Sequence, residues 1–305
     1  MANRQIRDLL SNRDLKFKDR IKIVFNSLSH AVIIRRWLNY IQDSPLLGNA
    51  TSVFTLLATK IHRPYFSSRL NVAGRVNVLI EHYDAISRLG LEPLIGKAII
   101  SDQLLYEGPC KSGKPFQIKM TAVHEAHREG EVCLHLYFDG EDIFELNFVL
   151  GTHDAQLCMK ISRLQGKKGD QARELVRLAT RDLHACRPAN LIVVAARQIA
   201  QVLGCRSVML VSNRQRITLN LKRRLRITAN YDQTWIEMGA TLQSDGFFKI
   251  DPIAMQQVDF NEIPSKKRSE ARKKVEMLDQ MYSGLKALFE AEMQQTVSDA
   301  VKEPS

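Results

Sequence analysis

The sequence predicts an α+β fold: a helical N-terminal region, then an antiparallel β-meander, then helices and further strands. Three observations predict it. Apolar residues recur at spacings of three and four along the first hundred residues, change to strict alternation after residue 115, and return to a helical period after residue 170. The expected organisation is a helical region over 1–110, an α+β core over 111–262, and a basic amphipathic C-terminal helix over 263–305.

In the first region, Phe17, Ile21, Val24, Phe25 and Leu28 form one helical stripe, flanked by Lys16, Lys18, Arg20 and Lys22. Such a stripe most commonly faces a core. A basic amphipathic helix can instead lie on an anionic membrane, its lysine stems snorkelling. After GPCKSGKP (108–115), Phe116, Ile118 and Met120 alternate with polar neighbours. Val132, Leu134, Leu136 and Phe138 do the same, then Phe144 to Leu150, then Leu157, Met159 and Ile161. The turn signals REGE, DGED and GTHD separate these runs, so four antiparallel strands are expected.

Asp170 then suits an N-cap, with Ala172, Leu175, Val176, Ala179 and Leu183 as the apolar stripe behind it. Arg187-Pro188 opens a second helix that closes at Gly204. Val208 to Val211 reads as a buried strand, and Ile217, Leu219 and Leu221 as a further alternating one. In the tail, Ser265 can cap a helix whose seam is Val275, Leu278, Tyr282, Leu285 and Phe289.

Composition bounds the partners. The 305 residues are 45% hydrophobic and 25% charged, as in an ordinary globular protein. The net charge of +11 favours anionic partners such as phosphate groups, nucleic acid or an acidic membrane surface. Five cysteines spaced singly suit buried free thiols rather than a disulfide framework or a zinc site. The opening residues are charged every few positions, and the longest apolar run, Leu191 to Ala196, is short, so neither a secretory leader nor a membrane span is expected. The expected location is cytoplasmic, with peripheral contact at the inner membrane.

Charge is distributed unevenly. No Asp or Glu occurs between Leu183 and Tyr231, where nine arginines and lysines fall, among them Arg187 and Arg214. Arginine forks suit phosphate. Beside this stretch, Arg163, Gln165, Gly166, Lys167, Lys168 and Gly169 form a glycine loop before a helix, a second candidate for phosphate binding. The order of meander, glycine loop, helix and later strand is similar to the acetyl-CoA-dependent N-acyltransferase fold, and acyl-CoA is the cofactor that likeness implies. Arg163-x-x-Gly166 fits half of that superfamily's Gln/Arg-x-x-Gly-x-Gly/Ala loop, but the next glycine, Gly169, falls one position late.

Single candidates for catalysis are His184, placed where a helix dipole favours a cationic imidazole; Ser212 and Asn213, which follow a buried strand; and Asp232 and Glu237, the first acids after the basic stretch. Tyr231 and Trp235 share a helical face and are expected in the core. No catalytic triad order, P-loop or HExxH pattern is present, and no metal is expected.

Several segments together carry a family likeness. HRPYFSSRL (62–70), EHYDAI (81–86), RLQG (163–166), the ATRDLHACRP run to Pro188, VSNR (211–214), YDQTWIEMG, DGFFKI and EIPSKKRSEARKK resemble, in order, signatures of the VirK/YbjX family. That resemblance implies a role in Gram-negative envelope and lipopolysaccharide integrity, virulence and resistance to antimicrobial peptides. It also implies a site around Gln165, Gly166, His184, Arg187, Ser212, Asn213, Asp232 and Glu237. The first expectation is therefore a factor that binds an anionic, phosphate-bearing envelope lipid or precursor. The alternative is an acyltransferase using acyl-CoA or an acyl carrier. Nucleic-acid binding ranks third, because Lys222 to Arg226 lacks interleaved aromatic residues.

Overall fold

The computed structural model describes residues 20–21, 23–25, 29–48, 53–123, 128–217, 230–255 and 258–302, with side chains to residue 295. Helices α1 (Ala31–Asp43), α2 (Pro45–Gly48), α3 (Phe54–Lys60), α4 (Val72–Arg88) and α5 (Glu92–Ile100) come first. Strands β1 (Gln103–Pro109), β2 (Pro115–Ala122), β3 (Val132–Phe138), β4 (Glu141–His153) and β5 (Gln156–Gly166) follow as an antiparallel meander. Helices α6 (Asp170–Asp182) and α7 (Pro188–Val202) cross over to β6 (Ser207–Val211). Then come α8 (Tyr231–Glu237), β7 (Thr241–Leu242), β8 (Phe247–Ile250) and α9 (Ser265–Lys302).

All these strands form one eight-stranded sheet in the order β1-β2-β3-β4-β5-β6-β8-β7. Among them only β5 and β6 run parallel, over Cys158↔Ser207 to Ile161↔Leu210. The four expected strands are present, and β1 precedes them. Its burial is irregular, and a register shift between Leu104 and Tyr106 interrupts the alternation that would have marked it as a strand.

The register sorts the side chains into two faces. Phe116, Ile118 and Met120 line up with Phe138, Leu136 and Leu134, and the last two with Phe144 and Leu146. Helices α7 and α9 cover this apolar face, and α9 approaches so closely that a Cβ on Gly284 would lie 2.6 Å from the Tyr106 ring. The expected tail seam is realised in part: Leu278, Leu285 and Phe289 are buried, with Met277 and Met281 beside them. They pack on α7 and β1 of the same chain.

The opposite face is polar, with Cys133, His135, Glu145, Asn147 and Arg163 at matched positions. Helix α4 and the loop before it lie over this face: Glu81 reaches the Thr152 amide at 3.2 Å, and His82 Nδ1 accepts from the Leu150 amide at 3.1 Å.

Three local expectations need correction. Ile21, Val24 and Phe25 are exposed while Ile23 is buried, so the stripe read as core-facing points to solvent; Phe17 and Leu28 lie outside the described residues. Helix α6 is capped at Gly169, at φ 107°, with no side-chain hydrogen bond, and Asp170 is its first residue. Ile217 is not in a strand, and Leu219, Leu221 and the Lys222–Arg226 run lie outside the described residues.

Candidate functional site

Two polar networks meet on the sheet's polar face. The first is fully buried. Lys60 Nζ lies 2.5 Å from Glu131 Oε1, and Tyr65 donates to the same oxygen at 2.8 Å. The Tyr83 hydroxyl donates to Glu131 Oε2. Glu131 and His82 are entirely buried, and Lys60 is 3% exposed. A carboxylate in such a place is tolerable only because a cation and two hydroxyls saturate it. Tyr65 sits in the HRPYFSSRL segment, and His82 and Tyr83 in EHYDAI. Two of the resemblance segments therefore converge on one carboxylate.

The second network begins at Glu129, two residues earlier. Arg163 Nε lies 3.3 Å from Glu129, its Nη2 lies 3.1 Å from Glu145, and both nitrogens reach Gln165 Oε1. Lys167 lies 2.9 Å from Asp142 and 2.9 Å from Glu145. Burial pushes the Glu129 carboxyl above its ordinary range despite Arg163. Against the pull of burial, Asp142 and Glu145 raise the Lys167 ammonium. Arg163 and Lys167, expected to hold phosphate, are thus already matched by acids from β4 and from residue 129. Those acids lie far from them in sequence, so the local glycine-loop pattern could not show the pairing. The ligand atoms of His135, Asp142 and Glu145 lie within 4.8 Å of one another, as a metal site requires, but the Lys167 ammonium supplies the cation there.

Between these networks the sheet is irregular. Asn147 pairs with Arg163 and Phe148 with Ile161, so Ser162 is an extra residue, a bulge in β5. Asn147 is fully buried, yet neither end of its amide has a hydrogen-bond partner among the described residues. The Ser162 hydroxyl and His82 Nε2 are likewise buried without one. Buried polar atoms are normally satisfied, so each of these exceptions calls for an explanation.

Beyond the bulge, β5 and β6 part. Strand β6 ends at Val211 while β5 continues to Gly166. The Tyr231 hydroxyl fills the opening, accepting from the Leu164 amide and donating to the Leu164 carbonyl, both at 2.8 Å. Asn213 accepts from the Tyr231 amide at 2.9 Å, and Asp232 accepts from the Asn213 amide at 2.7 Å. The Arg216 guanidinium lies 3.7 Å from the Tyr231 ring centre. The carboxyl ends of adjacent parallel strands, where the chain crosses over, are the usual place for a ligand in such sheets.

The structure therefore brings Arg163, Gln165, Gly166, Lys167, Ser212, Asn213 and Asp232 to one end of the sheet. Lys168, Gly169 and Arg214 are exposed at the same carboxyl ends. Gly166 is required by packing, since a Cβ there would lie 2.8 Å from the Phe144 ring. Asp232 accepts from the Asn213 backbone amide. Glu237 is exposed at the end of α8 and accepts from Gln233 at 3.1 Å.

His184 and Arg187 lie elsewhere, in the turn from α6 to α7. There Asp182 holds the β1–β2 turn through the Ser112 amide at 2.8 Å. His184 adopts φ 52°, and burial with nearby Lys111 and Lys273 lowers its pKa, so the expected cationic imidazole is disfavoured. Two cavities, of about 740 Å³ between Tyr106 and α9 and about 240 Å³ between α5 and β2, do not border Gly166. Sequence reasoning missed Lys60, Glu129, Glu131 and Asn147. Each looks ordinary in its own window, and only the fold makes it unusual.

Burial lowers the imidazoles of both His62 and His82 to about 4. Unfolded, they would titrate near about 6.5. The unfolded chain then binds more protons between those values, so stability is full above about pH 6.5 and falls as pH drops toward 4. Each histidine contributes up to about 3 kcal/mol. Urea midpoints measured across this window should fall with acid, and His82→Gln should flatten the slope. A slope that the variant leaves unchanged would contradict the assignment.

Comparison places the chain among known sequences. The family model described as "Protein of unknown function (DUF535)" matches residues 13–287. The chain is 26% identical over 275 residues to the uncharacterized protein YbjX of Escherichia coli (strain K12), covering 88% of this chain and 83% of that one. It is 24% identical over 251 residues to an uncharacterized protein of Haemophilus influenzae (strain ATCC 51907 / DSM 11121 / KW20 / Rd), covering 81% of each. Among solved structures it is similar to a mutant form of a cAMP-binding acyltransferase from Mycobacterium smegmatis, with a TM-score of 0.29 and 11% identity. That match covers 68% of this chain and 61% of the other.

Proposed function

Because this chain belongs to the DUF535 family, the VirK/YbjX family that its motifs resemble, we propose that it supports the Gram-negative envelope by binding a polar, phosphate-bearing envelope precursor on the polar face of its sheet. One observation carries the reading: among the described residues the fully buried Asn147 amide has no partner at either end, between the Ser162 bulge and the two saturated ion networks. An amide offers a donor and an acceptor, so it reads a group that both gives and takes hydrogen bonds. Arg163 and Lys167 are already neutralised, so the phosphate falls to Lys168 and Arg214, the exposed bases after the ends of β5 and β6.

The test uses Asn147→Leu. Replacing a buried unpaired amide with an apolar group of similar size should raise the stability of the free protein by about 1–2 kcal/mol. Native mass spectrometry of protein purified gently from a Gram-negative host should show a phosphorylated adduct on the wild type and not on the variant. The variant should also fail to restore antimicrobial-peptide tolerance in a deletion strain. A stabilised variant that keeps the adduct and complements fully would overturn the reading.

A second reading, acyl transfer, is favoured by the observed order of meander, glycine loop, helices and a later strand that pairs with β5, the order on which the N-acyltransferase likeness rests. Adding acyl-CoA distinguishes the two. Thiol release together with an acylated product supports transfer, whereas no mass shift and no thiol release leaves binding alone.

A further inference from the structure

Exposed apolar side chains are concentrated in one stretch of the sequence. Ile21 is 53% exposed, Val24 45%, Phe25 69% and Val32 80%, while Ile23 beside them is buried and anchors the segment. Four large apolar residues within twelve positions is more than scattered surface exposure accounts for. The surrounding sequence is basic, with seven Arg or Lys and two Asp from Arg13 to Arg36. Among these, Arg35 is exposed three residues after Val32. No described helix is long and apolar enough to cross a membrane.

We propose that this N-terminal surface docks the protein peripherally on an anionic lipid bilayer. Phe25, Val32 and the exposed apolar residues beside them enter the boundary between headgroups and acyl chains, and the exposed Arg35 meets the headgroup phosphates. The charge selects the occupant. A second copy of this chain would bring the same positive charge to the contact, whereas an anionic surface complements it. The residues proposed here are not those of the proposed sheet site, so either proposal can fail without the other.

The test is sedimentation of the full-length protein with vesicles of phosphatidylcholine alone or mixed with phosphatidylglycerol. Binding is expected only to the anionic vesicles, and it should weaken as ionic strength rises. The double variant Phe25→Ser/Val32→Ser should lose about tenfold or more in partitioning. Ile100→Ser, at a residue 86% exposed elsewhere, should lose none. The variants alter exposed side chains, and circular dichroism melting checks that they fold as the parent does. Equal binding to both vesicle types, no binding, or full binding by the double variant would each overturn the proposal. So would a concentration-dependent dimer that the double variant abolishes, since another copy would then be the occupant.

Discussion

Lys60→Met should cost about 3–5 kcal/mol. The substitution removes the ammonium 2.5 Å from Glu131 and leaves a buried carboxylate with two tyrosine hydroxyls. Such a loss is a large share of the roughly 5–15 kcal/mol that holds a typical domain. The companion measurement is the double variant Lys60→Met/Glu131→Gln. Without a carboxylate to strand, it should recover a substantial part of the loss. A single variant that melts with the wild type would mean that Glu131 draws its support from elsewhere.

Tyr231→Phe should lose about 2–4 kcal/mol, because one hydroxyl serves both the amide and the carbonyl of Leu164. The ring stays in place beneath Arg216 and beside Trp235, so the change isolates the hydroxyl. Hydrogen exchange should show the loss at Leu164 and Gln165 before it reaches β2 and β3. Uniform exchange across the sheet would instead indicate a global loss of packing.

Much of the fold can be read from the sequence because it is local. The alternation from Phe116 to Ile161 fixes which face each strand buries, and short turns fix its neighbours. The apolar positions of the last helix find their core without a partner chain. The site is legible only in part. RLQG and VSNR stand out as polar punctuation after strands, and the parallel pairing of β5 with β6 brings them together. Their charges cannot be assigned from the sequence. Glu129 and Glu145, which neutralise Arg163, and Glu131, which meets Lys60 across 71 positions, are brought in by long-range pairing that no window contains. His184 misleads for the opposite reason: a residue at a helix end looks poised for charge until the lysines of two other segments surround it.

The parallel step from β5 to β6 also shapes how the chain is made. Strands β1 to β5 follow one another closely in sequence and pair with their neighbours in order, so each can pair as it leaves the ribosome. The partner of β5 on its other side does not exist until residues 167–206 have been synthesised, and Tyr231 comes later still. At about 5–20 residues per second, that interval lasts about 2–8 s. A sheet of β1 to β5 formed in that interval would present an open row of amides and carbonyls on its last strand, the strand that carries the bulge in the finished molecule. Chaperone dependence during synthesis should therefore peak before β6 emerges.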